Sequence, residues 1–137
     1  MNGAVDFTGW SGLLLGLAAV FAGIGALRKP GIWRTMIEEV ESSPTAQFVC
    51  GMLELLVGTI VYLANPWLPG DILSCALKAL GGLMMAEALV ILAFCDIYTQ
   101  IWLKNLGAMH RGWAGFTVLV GAALTIAGGL HLAGMPI

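Results

Sequence analysis

Two carboxylic acids, Glu54 and Glu87, lie inside long runs of apolar residues. A charge at the centre of a bilayer costs roughly 3 kcal/mol on insertion scales, so acids persist there only for a reason. A pair of carboxyl groups at bilayer depth has the chemistry to carry protons or bind cations. Asp96 and His131 lie near the ends of similar runs and are candidate relay steps, Asp96 toward the cytoplasm and His131 toward the outside.

The same two acids also have a purely structural interpretation, which we favour. In their neutral form, each donates one hydrogen bond to a carbonyl or hydroxyl group, such as that of Thr59 or Thr125. Lys78 is not expected to neutralise Glu87, because nine residues at 100° each place it on the opposite face of one helix, ~13 Å away. The protonation state of the acids and their mutual orientation stay open at this point.

The composition indicates an integral membrane protein. Of the 137 residues, 59% are hydrophobic and 10% are charged, and the mean hydropathy is +0.92, so too few polar side chains are present to cover a soluble globule. Four charge-poor runs are long enough to cross about 30 Å of hydrocarbon: 10–27, 46–63, 72–97 and 113–132. The sequence therefore predicts an all-α membrane protein with four transmembrane helices in one domain, 1–137, and no broken helix is expected among them.

Charged and aromatic residues predict the orientation of these helices. Five of the six basic residues fall in two connections, 28–45 and 98–112: Arg28, Lys29, Arg34, Lys104 and Arg111. The positive-inside rule makes those connections cytoplasmic and places both termini and the 65–70 turn on the other side. In the first connection, apolar residues recur at helical spacing opposite acidic ones, which predicts a short helix in the headgroup plane between the first two spans.

Small residues form seams on which other helices can pack closely. In lipid, helix association depends on such close packing and on hydrogen bonds between helices. In the first span, small residues recur at alternating spacings of four and three. The second span places its glycines on the same face as Glu54, and the fourth span has a comparable face of small residues. The predicted packing residues are Gly12, Gly16, Ala19, Gly23, Gly51, Gly58, Gly121 and Gly128.

Equal spacing in the two halves predicts a duplication. A shift of 69 residues lays Ile32-Trp33 on Ile101-Trp102 and Leu63-Ala64 on Leu132-Ala133. When the shift is one residue longer, Gly51 and Gly58 align with glycines of the fourth span. Since each half has an even number of spans, the halves, about 10–64 and 72–134, form parallel repeats about an axis along the membrane normal.

Two short motifs resemble known families of membrane proteins. The pattern Pro30-x-x-Trp33-x-x-Met36-Ile37, followed by Pro44, Gly51 and Val61-Tyr62-Leu63, resembles the YjeT-like proteins, two-helix proteins of the bacterial inner membrane. The segments Phe21-Ala22-Gly23-Ile24 and 51–56 resemble the four-helix DoxX-like proteins, some of which are tied to quinone-linked redox complexes. These resemblances imply a bacterial inner membrane location and, for the second, a quinone-linked accessory role. Neither supplies a catalytic residue.

The expected function is therefore a non-enzymatic structural or accessory subunit that associates with itself or with a larger membrane complex. The alternative is a small proton- or cation-coupled transporter that uses Glu54 and Glu87. No cofactor or metal is predicted, because Cys50, Cys75 and Cys95 occur singly in apolar runs and do not match a metal-ligand spacing. The net charge of −2, without runs of like charge, argues against nucleic acid as a partner.

Overall fold

The computed structural model describes residues 5–134; for residues 107 and 108 it describes the backbone and not the side chains. This part of the chain contains five helices and no strands: α1 (Phe7–Arg28), α2 (Ile32–Glu41), α3 (Pro44–Ala64), α4 (Ile72–Leu106) and α5 (Met109–Leu132). All except α2 are long and apolar enough to cross a membrane. The all-α fold with four spanning helices and a short helix between the first two is confirmed, and the protein is a multi-pass membrane protein.

Polar side chains fix the points at which three of the long helices begin. Asp6 accepts a hydrogen bond from the backbone N–H of Gly9 at the start of α1 (3.0 Å), and Ser43 does the same for Ala46 at the start of α3 (3.2 Å). Asp71 caps α4 through the N–H of Ser74 (3.1 Å). Each cap satisfies one of the backbone donors that a first helical turn leaves unpaired.

The connection between the last two spans differs from the prediction. Residues 98–112 were expected to form a loop, but α4 continues to Leu106 and α5 begins at Met109, because the residues of this segment also favour a helix. The expectation of unbroken helices is wrong for α4, whose backbone leaves helical geometry at Phe94 (φ −134°, ψ 43°). No proline or glycine adjoins Phe94, so the usual sequence signals for a kink are missing.

The spanning helices pack as two antiparallel pairs, α1 with α5 and α3 with α4. A Cβ added at Gly12 would lie 3.3 Å from the Cα of Gly128, and one added at Gly58 would lie 3.0 Å from the carbonyl oxygen of Gly81. In contrast, α1 and α3, which are consecutive spans, touch little. The closest helix crossings in the protein thus join its first half to its second.

The predicted seam residues lie at these crossings. Gly16 and Gly23 of α1 face α5, and Gly121 of α5 faces α1, where an added Cβ would lie 2.9 Å from the Cβ of Ala19. Gly51 of α3 faces Leu92 of α4. The sequence reasoning missed two glycines at these crossings: Gly81 of α4, which meets α3 at Gly58, and Gly9 of α1, which meets α5 at Gly128 and Leu132.

A small apolar core fills the bundle between its middle and the end that carries His131, called here the His131 end. Val61 of α3 and Leu73 and Leu77 of α4 are buried there, with at most 5% of their surface exposed. Residues from α1, α4 and α5 pack around them: Leu15, Leu80, Leu124 and Ala127. The opposite end of the bundle, called the α2 end, carries α2 and the start of α5.

Candidate functional site

The α3–α4 crossing brings the two intramembrane acids together. Glu54 projects from the middle of α3 and Glu87 from the middle of α4, and their carboxyl groups lie beside each other within range of a side-chain interaction. Both side chains are half-buried. The sequence left the rotation of these helices open, and the structure turns the two acids toward each other.

Tyr98 completes this group. Its hydroxyl donates a hydrogen bond to the Oε1 atom of Glu87 and lies within electrostatic range of the Glu54 carboxyl group. Eleven residues of straight helix span ~16 Å, farther than the two side chains reach. The irregular backbone at Phe94, between Glu87 and Tyr98, brings them into contact.

Sequence reasoning missed Tyr98, although a signal was present. Eleven residues at 100° each place it within about 20° of Glu87 around the helix. The hydroxyl groups expected to serve the acids are engaged elsewhere: Thr59 donates to the carbonyl of Leu55 and Thr125 to that of Gly121, each at 2.7 Å. These bonds stay within one helix, so neither threonine was the partner of an acid.

His131 lies in a second polar group at the far end of the bundle. Its Nδ1 atom is 2.6 Å from Oδ2 of Asp6, and its Nε2 atom is 2.7 Å from Oδ2 of Asp71. Both ring nitrogens can donate at once only in the imidazolium form. One histidine therefore joins the starts of α1 and α4 to the end of α5. The predicted orientation already placed these three helix ends on the same side of the membrane, and this was the sequence signal for the contact.

The contact with His131 stabilises the ionised form of Asp71. Burial raises the pKa of Asp71, but hydrogen bonds from His131 and from the backbone of Ser74 outweigh burial, and the net pKa is lowered from its usual 3.8. A carboxyl group with a lowered pKa stabilises the folded protein fully above its unfolded pKa. This contribution is lost as the pH falls through the lower folded pKa.

We predict that the protein loses thermal stability on acidification partly through Asp71. Asp71→Asn keeps a good N-cap but has no proton to gain, so its unfolding temperature should fall less than that of the wild type between about pH 6 and about pH 3. Thermal unfolding in detergent across this pH range measures the difference. Asp96→Asn, at an exposed position, is the matched control and should follow the wild type. Identical pH profiles for Asp71→Asn and the wild type would contradict the prediction.

The structure separates the four predicted polar residues. Glu54 and Glu87 meet, His131 belongs to the other polar group, and Asp96 is exposed and joins neither. Lys78, as expected, does not reach Glu87. It donates to the backbone carbonyl of Tyr62 (3.2 Å) and lies 3.6 Å from the centre of the Tyr62 ring.

Two adjoining cavities lie between α2 and α4, next to the pair of acids. Their volumes are about 190 and 290 Å³, and they share four lining residues: Met36, Ile37, Tyr98 and Trp102. Glu87 lines the larger cavity. The Glu54–Glu87–Tyr98 group thus borders an apolar space at the α2 end of the bundle.

The cysteine, histidine and acidic side chains of residues 5–134 do not form a cluster of metal ligands. Cys50, Cys75 and Cys95 are free thiols, and no group of three or more histidine, cysteine or acidic residues is arranged to bind one in residues 5–134. Although His131 contacts two carboxylates, both of its ring nitrogens face them, which leaves no nitrogen for a metal.

Comparison of the chain with protein-family models, with curated proteins and with solved structures finds no match. The resemblances to YjeT-like and DoxX-like proteins stay predictions.

Proposed function

We propose that the protein is a non-enzymatic membrane subunit that associates with itself or with a larger membrane complex. The observation that carries this proposal is the apolar core of Val61, Leu73 and Leu77, which lies between the two polar groups. Polar side chains on either side of this core are engaged within the chain, Glu87 by Tyr98 and His131 by two aspartates. This arrangement favours a scaffold held by internal hydrogen bonds over a continuous polar path.

The outer surface supports association. Large apolar side chains are exposed along the spanning helices, among them Leu14 and Phe21 of α1, Leu63 of α3, Leu83 of α4 and Leu119 of α5, each at least 58% exposed. In a membrane these faces contact lipid or the helices of another protein.

The bacterial inner membrane and the cytoplasmic position of the α2 end are part of the proposal. Its support is the gathering of basic residues around 28–34 and 104–111, since cytoplasmic loops carry the excess of lysine and arginine. Both termini then lie on the other side, with His131.

The duplicated scaffold is also proposed, and the glycine crossings support it. A shift of 69 residues carries Gly12 to Gly81, and a shift of 70 carries Gly58 to Gly128. The contact of Gly12 with Gly128 therefore corresponds to the contact of Gly81 with Gly58. The acids stand outside this relation, because the shift of 69 places Glu87 on Ala18 and Glu54 on Ala123.

A second candidate function is a small proton- or cation-coupled transporter, favoured by the meeting of Glu54 and Glu87. One substitution separates the two functions. Glu54→Gln keeps a hydrogen-bonding amide but cannot carry a proton, so a subunit should retain its assembly and unfolding temperature and should show no pH-driven flux, with or without the substitution.

Size-exclusion chromatography measures the assembly, and a pH-sensitive dye enclosed in liposomes measures the flux. Glu39→Gln, at an exposed position on α2, is the control for loss of one acid. Flux present in the wild type and in Glu39→Gln but absent in Glu54→Gln would overturn the proposed subunit function in favour of the transporter.

A further inference from the structure

We propose that the two cavities beneath α2 form a binding site for a hydrophobic organic cation, such as an arylammonium or arylphosphonium compound. Their volumes of about 190 and 290 Å³ together fall in the range of roughly 300–1,000 Å³ that is usual for sites of small organic ligands. The proposal stands apart from the proposed function, because binding requires neither assembly nor flux.

Aromatic rings give the first reason for a cationic ligand. Trp33 of α2 and Tyr98 and Trp102 of α4 line the larger cavity, and Tyr98 and Trp102 pack edge to face with their centres 6.3 Å apart. Trp102 is fixed further by Trp113 of α5, with ring centres 5.0 Å apart. A cation near the face of such rings is attracted by their negative potential, most strongly where water is excluded.

The acids give the second reason. Glu87 lines the larger cavity and Glu54 lies beside it, so two carboxyl groups are available to neutralise one bound charge. None of the described residues that line either cavity is a lysine or an arginine. The charge of the site is therefore complementary to a cation, and a bound anion would face the acids without compensation.

The apolar walls give the third reason, because they favour a ligand whose charge is covered by hydrocarbon. Met36 and Ile37 of α2 line both cavities. A hydrogen bond of 2.6 Å from Gln100 of α4 to Glu41 holds the end of α2 in place above them. A hydrated inorganic ion would gain little from these walls, and a lipid acyl chain would leave the acids unused.

Binding of tetraphenylphosphonium to the purified protein in detergent tests the proposal. Tetraphenylborate has the same shape and the opposite charge, so it should bind at least about tenfold more weakly if charge selects the ligand. Isothermal titration calorimetry gives both affinities. Glu87→Gln should weaken phosphonium binding by about tenfold, whereas Glu39→Gln, on α2 but outside both cavities, should leave it unchanged.

Trp102→Leu provides a second variant that keeps the acids and the apolar wall. Its phosphonium affinity should fall several-fold through loss of one cation–π contact. Equal binding of the two probes, undetectable phosphonium binding to the folded wild type, or unchanged binding to Glu87→Gln and Trp102→Leu would each overturn the proposal.

Discussion

Gly128→Ala is expected to destabilise the protein by about 1–3 kcal/mol, the usual cost of overfilling a well-packed contact. A Cβ at this position would lie 2.7 Å from the carbonyl oxygen of Gly9 and 2.8 Å from the carbonyl carbon of Gly12, with the backbone nitrogen of Leu13 closer still. These atoms belong to backbone and cannot rotate away, so α1 and α5 must separate. Thermal unfolding in detergent measures the loss.

The next residue is a matched control for this substitution. A Cβ at Gly129 meets no atom within 4 Å, so Gly129→Ala adds the same methyl group to the same helix and should leave the unfolding temperature unchanged or slightly raised. The α3–α4 crossing offers a parallel test, since an added Cβ at Gly81 lies 2.7 Å from the nitrogen of Tyr62, whereas one at Gly82 keeps 3.7 Å from the nearest atom. Equal effects of Gly128→Ala and Gly129→Ala would contradict the close α1–α5 crossing.

His131→Ala should cost about 3–6 kcal/mol of stability, because two hydrogen bonds between charged groups are lost, each contributing roughly 1.5–3 kcal/mol. Asp6 and Asp71 would then face each other without the donor that joins them. The three side chains are only 17–24% exposed, so water replaces these hydrogen bonds incompletely. Thermal unfolding near neutral pH measures the effect.

A graded series checks the cause of this loss. His131→Gln keeps one donating amide and should lie between His131→Ala and the wild type. Adding Asp71→Asn to His131→Ala should recover part of the stability by removing one of the two carboxylates, which a double-mutant cycle quantifies. An unfolding temperature of His131→Ala equal to that of the wild type would show that His131 does not hold the helix ends together.

The spanning helices were predictable because bilayer thickness and hydropathy set them without reference to other parts of the chain. Capping by Asp71 and the close approach at Gly128 follow from local spacing in the same way. The pairing of one helix with another does not follow from local spacing. A seam such as that of Gly12 and Gly16 is compatible with any neighbouring helix, and only the packing of the complete bundle pairs α1 with α5.

The candidate site was predictable in its acids and unpredictable in its contacts. Glu54 and Glu87 are conspicuous for their polarity, but their meeting depends on the rotation of α3 against α4. Tyr98 reaches Glu87 because the backbone changes direction at Phe94. This change could not be predicted, since no proline or glycine adjoins Phe94. Likewise, the contacts of His131 join residues more than 50 positions apart in the chain, which no local pattern encodes.

The pairing of the first span with the last has a consequence for biogenesis. When α1 enters the bilayer during synthesis, the helix that covers its glycine face has not yet been made, and α3, the next span to arrive, touches it little. Apart from Gly12, which also lies near Leu73 of α4, the glycine face of α1 therefore contacts lipid until α5 is inserted. Chains released before α5 is complete would leave the glycine face of α1 uncovered. The quality-control machinery for membrane proteins would then recognise α1 as an unassembled helix.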